Sequence, residues 1–251
     1  MSIVDKKRFK DGHYFGLPAD FDDLFVKTRV ELVKNIRGFV GTDLLLADVG
    51  CGNGNSLFLL SPFFAHADGI DLYPENQIVF EKIRSELNCS NCSFVIKDIE
   101  SENLDRQYDR IICFEVIEHF KSEESVGKLF EILKDGGMLA ITVPHKWWLF
   151  ETHGARLPLL PWNRVPFFSW LPRPIHEKYA NARIYTKQRI VKLLMKHGFE
   201  VKSAQLMTAP LDVLKDSALK RFLLKVVFRG QTTRNPFLAT NVFVWAVKSK
   251  S

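Results

Sequence analysis

Cysteine is scarce in this 251-residue sequence, and long apolar runs are missing from it. Its four cysteines have irregular spacing, so we expect reduced thiols rather than the disulfide framework of a small secreted domain. We expect Cys89 and Cys92 to form a turn rather than half of a zinc site. No run reaches the roughly 18 uninterrupted apolar residues of a membrane span, and no apolar leader segment is recognisable. We therefore expect a cytoplasmic protein, which at most lies peripherally on a membrane.

Acidic residues are also scarce, but only in the last part of the chain. Residues 1–150 carry 17 Lys and Arg against 24 Asp and Glu, whereas residues 151–251 carry 18 against 5. A basic half of this kind suits an anionic partner, such as a phosphate-bearing substrate, nucleic acid or a lipid surface. A solvated basic surface explains the same count, so both interpretations stay open.

Short apolar runs alternate with amphipathic stretches along most of the chain. The predicted strands are residues 44–49, 66–71, 94–97, 108–114, 138–143, 199–208 and 240–247. The predicted helices are residues 21–39, 56–64, 74–87, 122–133, 186–197 and 211–228. This alternation predicts right-handed βαβ units and a parallel sheet with helices on both faces, within one domain covering residues 1–251.

An insertion at residues 145–185 interrupts this alternation, and four of the five tryptophans lie in it. Its aromatic and apolar residues suit a lid over a large apolar acceptor, or a membrane interface. The helix at 211–228 carries an apolar stripe, which basic residues flank. The stripe consists of Leu219, Phe222, Leu223, Val226 and Val227. Packing on the sheet is the favoured explanation of this stripe, and contact with a lipid surface is the alternative.

A glycine-rich turn directly follows the first strand. Asp48 ends that strand, and Gly50, Cys51, Gly52 and Gly54 follow it. Glycine allows a sharp turn and a close approach of the backbone to a ligand, and this edge of a parallel sheet is where such folds bind ligands. The spacing differs from the Gly-x-Gly-x-x-Gly of dinucleotide sites.

Two further acids follow the next two strands. Asp71 precedes Leu72 at the end of the second strand, where a carboxylate suits the hydroxyls of a ribose. Asp98 precedes Ile99 after the third strand, where it suits the amino group of an adenine. Together with the glycine turn, these acids indicate a site for an adenosine-containing cofactor.

In these motifs the sequence resembles the class I S-adenosylmethionine (SAM)-dependent methyltransferases, over nearly all of residues 44–143. The resemblance is to the type 11 and ubiquinone-pathway O-methyltransferase branch. It implies a Rossmann-like, seven-stranded, mostly parallel sheet with an antiparallel last strand. It also implies SAM as cofactor and S-adenosylhomocysteine as product, held by Asp48, the glycine turn, the two segments after strands two and three, and Glu115.

The segment that leaves the fourth strand contains Glu115, Glu118 and His119. Their spacing places all three on one face of a helical turn, as a possible set of ligands for a divalent ion such as Mg²⁺. Ubiquinone-pathway O-methyltransferases and small-RNA 2′-O-methyltransferases have a similar segment. The favoured alternative is that Glu115 and His119 only line the cofactor pocket.

Histidines supply the remaining candidates for catalysis. Methyl transfer to a hydroxyl needs a base, and His145, His176 and Glu115 are the predicted catalytic residues. The leading hypothesis is transfer to a hydroxyl of a small, lipid-like or lipid-linked acceptor. A metal-assisted RNA 2′-O-methyltransferase, with nucleic acid as a less favoured partner, and a non-catalytic SAM-binding protein at a membrane stay open as alternatives.

Overall fold

A computed structural model describes residues 9–10, 13–14, 21, 23–155, 166–211 and 217–249 of the chain. The chain divides into two compact units. The first unit comprises Pro18–Thr142, Val191–Ala204 and Phe243–Ser251, and the second comprises Met1–Leu17, Val143–Ile190 and Gln205–Val242.

The regular elements follow the predicted alternation closely. Among the described residues, the strands are Phe9–Lys10 (β1), His13–Tyr14 (β2), Gly41–Val49 (β3), Phe64–Asp71 (β4), Cys92–Ile96 (β5), Tyr108–Phe114 (β6), Leu133–Pro144 (β7), Phe199–Thr208 (β8), Thr232–Thr233 (β9) and Ala239–Lys248 (β10). The helices are Leu24–Lys34 (α1), Asn55–Leu60 (α2), Pro74–Glu86 (α3), Val126–Ile132 (α4), Arg173–Tyr179 (α5), Lys187–Lys196 (α6) and Ala218–Val226 (α7). In the part of the chain that the structure describes, no helix has the length and apolar content needed to cross a bilayer.

The strands form a mixed, mostly parallel sheet, which confirms the predicted Rossmann-like α/β fold. Within the described residues its order is β5-β4-β3-β6-β7-β10-β8-β9. β3 pairs in parallel with β4 and β6, β4 with β5, and β6 with β7, while β8 and β9 pair antiparallel at the edge. The short β9 makes eight strands here instead of the predicted seven. The carboxyl ends of β3, β4 and β6 therefore meet at one edge of the sheet.

The first unit has its core around the central strands. Leu46 and Ala47 of β3 and Ile111 and Ile112 of β6 are fully buried, as expected for strands that are covered by helices on both faces. Lys248, at the end of β10, donates hydrogen bonds to the main-chain oxygens of Phe130 and Leu133.

The second unit contains the described part of the insertion. Tyr185 pairs with the chain at residues 144–146, because its N–H donates to Pro144 and its carbonyl accepts from Lys146. Trp148, Ala209 and Leu211 form a small buried core. Phe150, Leu223, Leu224 and Phe228 pack against that core and attach α7 to it.

Several local details differ from the sequence-based expectations. The helix predicted for 211–228 begins at Ala218 in the structure, and residues 212–216 lie outside the described part. Helix α5 and the short β1–β2 ribbon were not predicted. The expectation of reduced thiols is wrong for Cys89 and Cys92, which form a disulfide across the turn between α3 and β5. Cys51 and Cys113 are free.

A polar cluster around Asp68 links β4, β5 and β6 in the first unit. Asp68 is buried, and its carboxylate accepts hydrogen bonds from Ser93 and from the Tyr108 hydroxyl at 2.8 Å. Arg106 lies 3.0 Å and His66 3.1 Å from the same carboxylate. Burial acts to raise the pKa of Asp68, but these hydrogen bonds and charges outweigh it and hold the pKa below its ordinary value.

We expect Asp68→Asn to lower the free energy of unfolding at neutral pH by about 2 kcal/mol, because charge-assisted hydrogen bonds are lost from a buried site. The folded-state pKa of Asp68 lies below its unfolded value, so its stabilisation is present above roughly pH 4 and is lost as the pH falls through the folded pKa. Urea unfolding from neutral pH to about pH 3 should therefore show a flatter pH dependence for the variant. Asp105→Asn, at an exposed neighbouring acid, is the control; equal stability losses would contradict the role of Asp68.

Candidate active site

The glycine loop, residues 50–54, follows β3 and begins with a backbone shape that favours glycine. Gly50 has φ +71°, and its N–H donates to the Ile70 carbonyl at 2.8 Å. A Cβ at Gly50 would overlap the side chain of Val116. The Cys51 N–H also donates to Ile70, and burial raises the pKa of the Cys51 thiol. The loop is therefore held against the end of β4.

Gly52 differs from Gly50 in what surrounds it. Its φ is +55°, and a Cβ built on it would meet no described atom within 4 Å. Its N–H donates to the Asp71 carboxylate at 2.8 Å. Gly54 also has a positive φ and begins α2 as its N-cap. The loop thus leaves open space at Gly52, on the edge of the sheet where a ligand is expected.

Asp71 ends β4 and ties the glycine loop to the start of α3. Its carboxylate accepts hydrogen bonds from the N–H groups of Gly52 and Tyr73 and from the Asn76 side chain. Burial raises the pKa of Asp71, and these three donors oppose the rise. Leu72, directly after it, is exposed. The structure therefore gives Asp71 a role in organising the loop. Its contact with a ribose stays a prediction.

Asp98 organises the turn that follows β5. It accepts hydrogen bonds from the Glu100 N–H at 2.9 Å and the Ser101 hydroxyl at 2.8 Å. Ile99, the next residue, is buried. The predicted contact of this segment with an adenine stays a prediction.

Three carboxyl groups and one arginine gather at the ends of β3 and β6. Asp48 is buried at the end of β3, and burial raises its pKa to about 8, against the effect of Arg29 and with that of Asp71. Burial and the nearby Glu115 raise the pKa of Glu118 well above its ordinary value. Burial lowers the pKa of Arg29, while Glu115 is the strongest of the acids that oppose this shift.

Sequence reasoning missed Arg29. It lies on α1, and its guanidinium carbon is 5.0 Å from the Phe25 ring and 5.2 Å from the Phe114 ring. The only signal in the sequence was that an arginine occupies a position between Val26 and Val30, which are buried on the apolar face of the same helix. A charge on that face needs charged partners inside the fold, and the carboxyl cluster supplies them.

Glu115 has a backbone conformation that is unusual for its residue type. It follows β6 with φ +59°, a left-handed conformation that costs about 1–2 kcal/mol for a residue with a Cβ. Its N–H donates to the Thr142 carbonyl at 3.1 Å. Such strain persists where surrounding contacts fix it, and it is concentrated at functional sites.

The residues predicted to bind a metal do not share one helical turn. Ile117–His119 forms a short 3₁₀ turn, and the left-handed Glu115 precedes it. The possible ligand atoms of Glu118 and His119 lie within 4.8 Å of each other. Glu115 does not belong to this group, so the predicted three-ligand face is not formed and the Mg²⁺ site stays a prediction.

His145 follows β7 in the second unit. Its ring is buried, and Nδ1 lies 3.3 Å from the Tyr185 carbonyl oxygen. Its Nε2 is buried without a hydrogen-bond partner among the described residues. Burial lowers the pKa of His145 to about 4, and Lys187 acts in the same direction. The ring is therefore neutral at neutral pH, and donation from Nδ1–H to Tyr185 leaves the Nε2 lone pair available.

His176 lies on α5 in the second unit and is fully buried. Its Nε2 is 2.6 Å from a carboxylate oxygen of Glu151, which is also buried. The Phe168 ring packs 5.1 Å from the imidazole. Sequence reasoning missed Glu151, although an acid beside Phe150 in an apolar insertion was a signal for a buried partner.

Comparisons with known proteins agree with this architecture. A family model described as a methyltransferase domain matches residues 41–204. The chain belongs to the class I SAM-dependent methyltransferases. A ubiquinone biosynthesis O-methyltransferase of Rickettsia bellii is 29% identical over 182 residues, which cover 70% of this chain and 75% of that protein. Its counterpart in Rickettsia typhi is 25% identical over 218 residues, covering 80% and 82%.

Solved structures show the same fold for this methyltransferase. A SAM-dependent methyltransferase from Clostridium acetobutylicum superposes with a TM-score of 0.61 at 14% identity, covering 93% of each chain. Magnesium protoporphyrin IX methyltransferase from Synechocystis, solved with bound SAM, has a TM-score of 0.56 at 16% identity, covering 98% of this chain and 92% of that one. These relatives favour neither the RNA 2′-O-methyltransferase alternative nor a non-catalytic protein.

Gly52→Ala should weaken SAM binding on the order of tenfold, because its methyl group would occupy the open space beside the glycine loop. Gly38→Ala is the matched control, since Gly38 also has a positive φ, +76°, and also has open space around a built Cβ. Both variants should lose a similar stability of about 1 kcal/mol. Calorimetric titration with SAM separates them; equal affinity in the two variants would show that the cofactor does not approach Gly52.

SAM binding should strengthen as the pH rises from 6 towards 8. Asp48 has a pKa of about 8 and is mostly protonated below it, whereas its anion attracts the cationic sulfonium and ammonium groups of SAM. Binding should therefore lower this pKa and release protons. Calorimetry in buffers of different ionisation enthalpy measures that release. Asp48→Asn should reduce it, and an unchanged proton release in this variant would refute the assignment.

Proposed function

We propose that this methyltransferase transfers a methyl group from SAM to a hydroxyl of a small, lipid-like acceptor, with His145 as the base. The neutral imidazole of His145, whose Nε2 is buried without a hydrogen-bond partner among the described residues, is the observation that carries the proposal. The Rickettsia relatives, which are named as O-methyltransferases of ubiquinone biosynthesis, support a hydroxyl of an apolar molecule as the acceptor.

The chemistry needs little from the protein beyond position and proton removal. SAM supplies an electrophilic methyl group whose bond to sulfur breaks as the new bond to oxygen forms. His145 Nε2 takes the hydroxyl proton, while the Tyr185 carbonyl holds Nδ1–H and so fixes the tautomer. A cationic ligand at the glycine loop would favour the ionised form of Asp48, the carboxyl group at the end of β3.

His176 is the second candidate for the base. Its contact with Glu151 is the carboxylate–imidazole arrangement that orients a histidine in many active sites. However, this contact occupies Nε2, and only Nδ1 is left for a substrate. We therefore assign proton removal to His145 and a structural role, as the buried partner of Glu151, to His176.

His145→Asn should lower kcat by about 10²–10⁴ while leaving the KM for SAM nearly unchanged, because only the proton acceptor is removed. The assay follows labelled methyl from SAM into a prenylated phenol, the same phenol without its tail, and bulk RNA, each with and without chelator. We expect label in the phenols, and faster transfer when the tail is present.

The companion variant His176→Asn distinguishes the two histidines. It should lower the unfolding temperature, because Glu151 would lose its buried partner, and it should leave kcat largely unchanged. Loss of turnover in His176→Asn, with His145→Asn still active, would transfer the role of base to His176. Label found in RNA and not in the phenols would contradict the proposed acceptor.

A further inference from the structure

A partly exposed cluster of aromatic rings lies in the second unit. Among the described residues it consists of Trp147, Phe167, Trp170 and Phe237, and we refer to it as the aromatic cluster. Neighbouring ring centroids are 5.0 Å apart for Phe167–Trp170, 5.5 Å for Trp170–Phe237 and 6.3 Å for Trp147–Trp170. Phe167 and Phe237 are more than half exposed, at 54% and 52%. A contiguous exposed apolar surface commonly marks an interaction site.

The polar atom of the central ring is used inside the protein. Trp170 Nε1 donates to the main-chain oxygens of Trp147 and Trp148 at 3.2 and 3.1 Å. The cluster therefore presents apolar ring surface, and the ammonium group of Lys146 lies 5.6 Å from the Trp147 ring. Tryptophan rings are favoured at the interface between water and lipid.

Helix α7 carries a second exposed apolar surface. Its Leu223 and Leu224 pack on the small core around Trp148. Leu219, Phe222 and Val226 are exposed, at 65%, 58% and 53%. Their spacing of three and four residues places them along one stripe, so the helix has an apolar stripe beyond the residues that attach it. The predicted packing thus accounts for Leu223 but leaves most of the stripe exposed.

The charged residues of this helix are all basic. Residues 217–230 include Lys220, Arg221, Lys225 and Arg229 and contain no acid. The second half of the chain is strongly basic as a whole, so a second copy of this surface would meet like charges. An anionic lipid surface supplies both an apolar interior for the exposed side chains and negative headgroups for the cations. The two surfaces are connected through consecutive residues, because Trp147 belongs to the aromatic cluster and Trp148 to the core that holds α7.

We propose that the second unit binds peripherally to membranes that contain anionic lipid, through the exposed stripe of α7 and the aromatic cluster. The apolar side chains enter the headgroup boundary, and the basic residues beside them contact the lipid headgroups. Attachment of this kind requires no membrane-spanning helix. It does not depend on the identity of the acceptor or on the base.

The test measures sedimentation of the full chain with vesicles of phosphatidylcholine alone and of phosphatidylcholine with phosphatidylglycerol, without SAM or acceptor. Binding should be at least about tenfold stronger to the anionic vesicles and should weaken with added salt. Tryptophan emission should shift to shorter wavelength on these vesicles. No binding to anionic vesicles at low salt would overturn the proposal, whatever the methylation assay shows.

Two variants and one control assign the surface. Leu219→Ser combined with Phe222→Ser should weaken vesicle binding about tenfold or more, because apolar insertion is lost. Lys220→Glu combined with Lys225→Glu should remove the preference for anionic vesicles. Ile78→Ser, on α3 of the first unit and 76% exposed, should bind as the unchanged chain does. Equal binding by all variants would overturn the assignment. It would also be overturned if sedimentation velocity showed a dimer of the unchanged chain and a monomer of the Leu219→Ser/Phe222→Ser variant.

Discussion

The candidate site at the ends of β3 and β6 depends on one interaction, the burial of Arg29 among carboxyl groups. A guanidinium away from water is costly unless charges or hydrogen bonds compensate for it, and here Glu115, Asp48 and Glu118 lower that cost. Burial is the main cause that raises the pKa values of Asp48 and Glu118, and a nearby carboxyl group adds to it, Asp71 for Asp48 and Glu115 for Glu118. Removing the arginine would take away a charge that lowers the pKa values of both acids. The arginine is therefore the charge around which the ends of β3 and β6 come together.

This arrangement also explains why a strained residue is retained there. Glu115 leaves β6 in a left-handed conformation that glycine would adopt at lower cost. A glycine would lack the carboxylate that interacts most strongly with Arg29. The local backbone cost is thus offset by an electrostatic contribution that requires this side chain.

The central strands could be predicted from the sequence because burial on both faces leaves a simple pattern. Residues 108–114 and 199–208 form strands with the predicted limits. Helix α5 was missed because Pro172 and Pro174 indicate a loop. In the structure they occupy the N-cap and the first turn, where proline needs no hydrogen bond. Of the site, the glycine loop and the acids after each strand could be located. Arg29 and Glu151 could not, because their burial depends on partners far apart in the sequence.

The proposed base has a property that bears on repeated turnover. Methyl transfer to a hydroxyl converts a sulfonium cation into a neutral thioether and releases one proton, so the positive charge passes to the residue that accepts it. On His145 this charge lies in a buried ring whose pKa is about 4 and near Lys187. The imidazolium is therefore unstable at neutral pH and loses its proton readily. A low pKa makes His145 a weak base in the empty protein, but it also returns the ring to its neutral form after each transfer. Proton acceptance must then be driven by the methyl transfer itself, in which the hydroxyl becomes strongly acidic as its oxygen bonds to carbon.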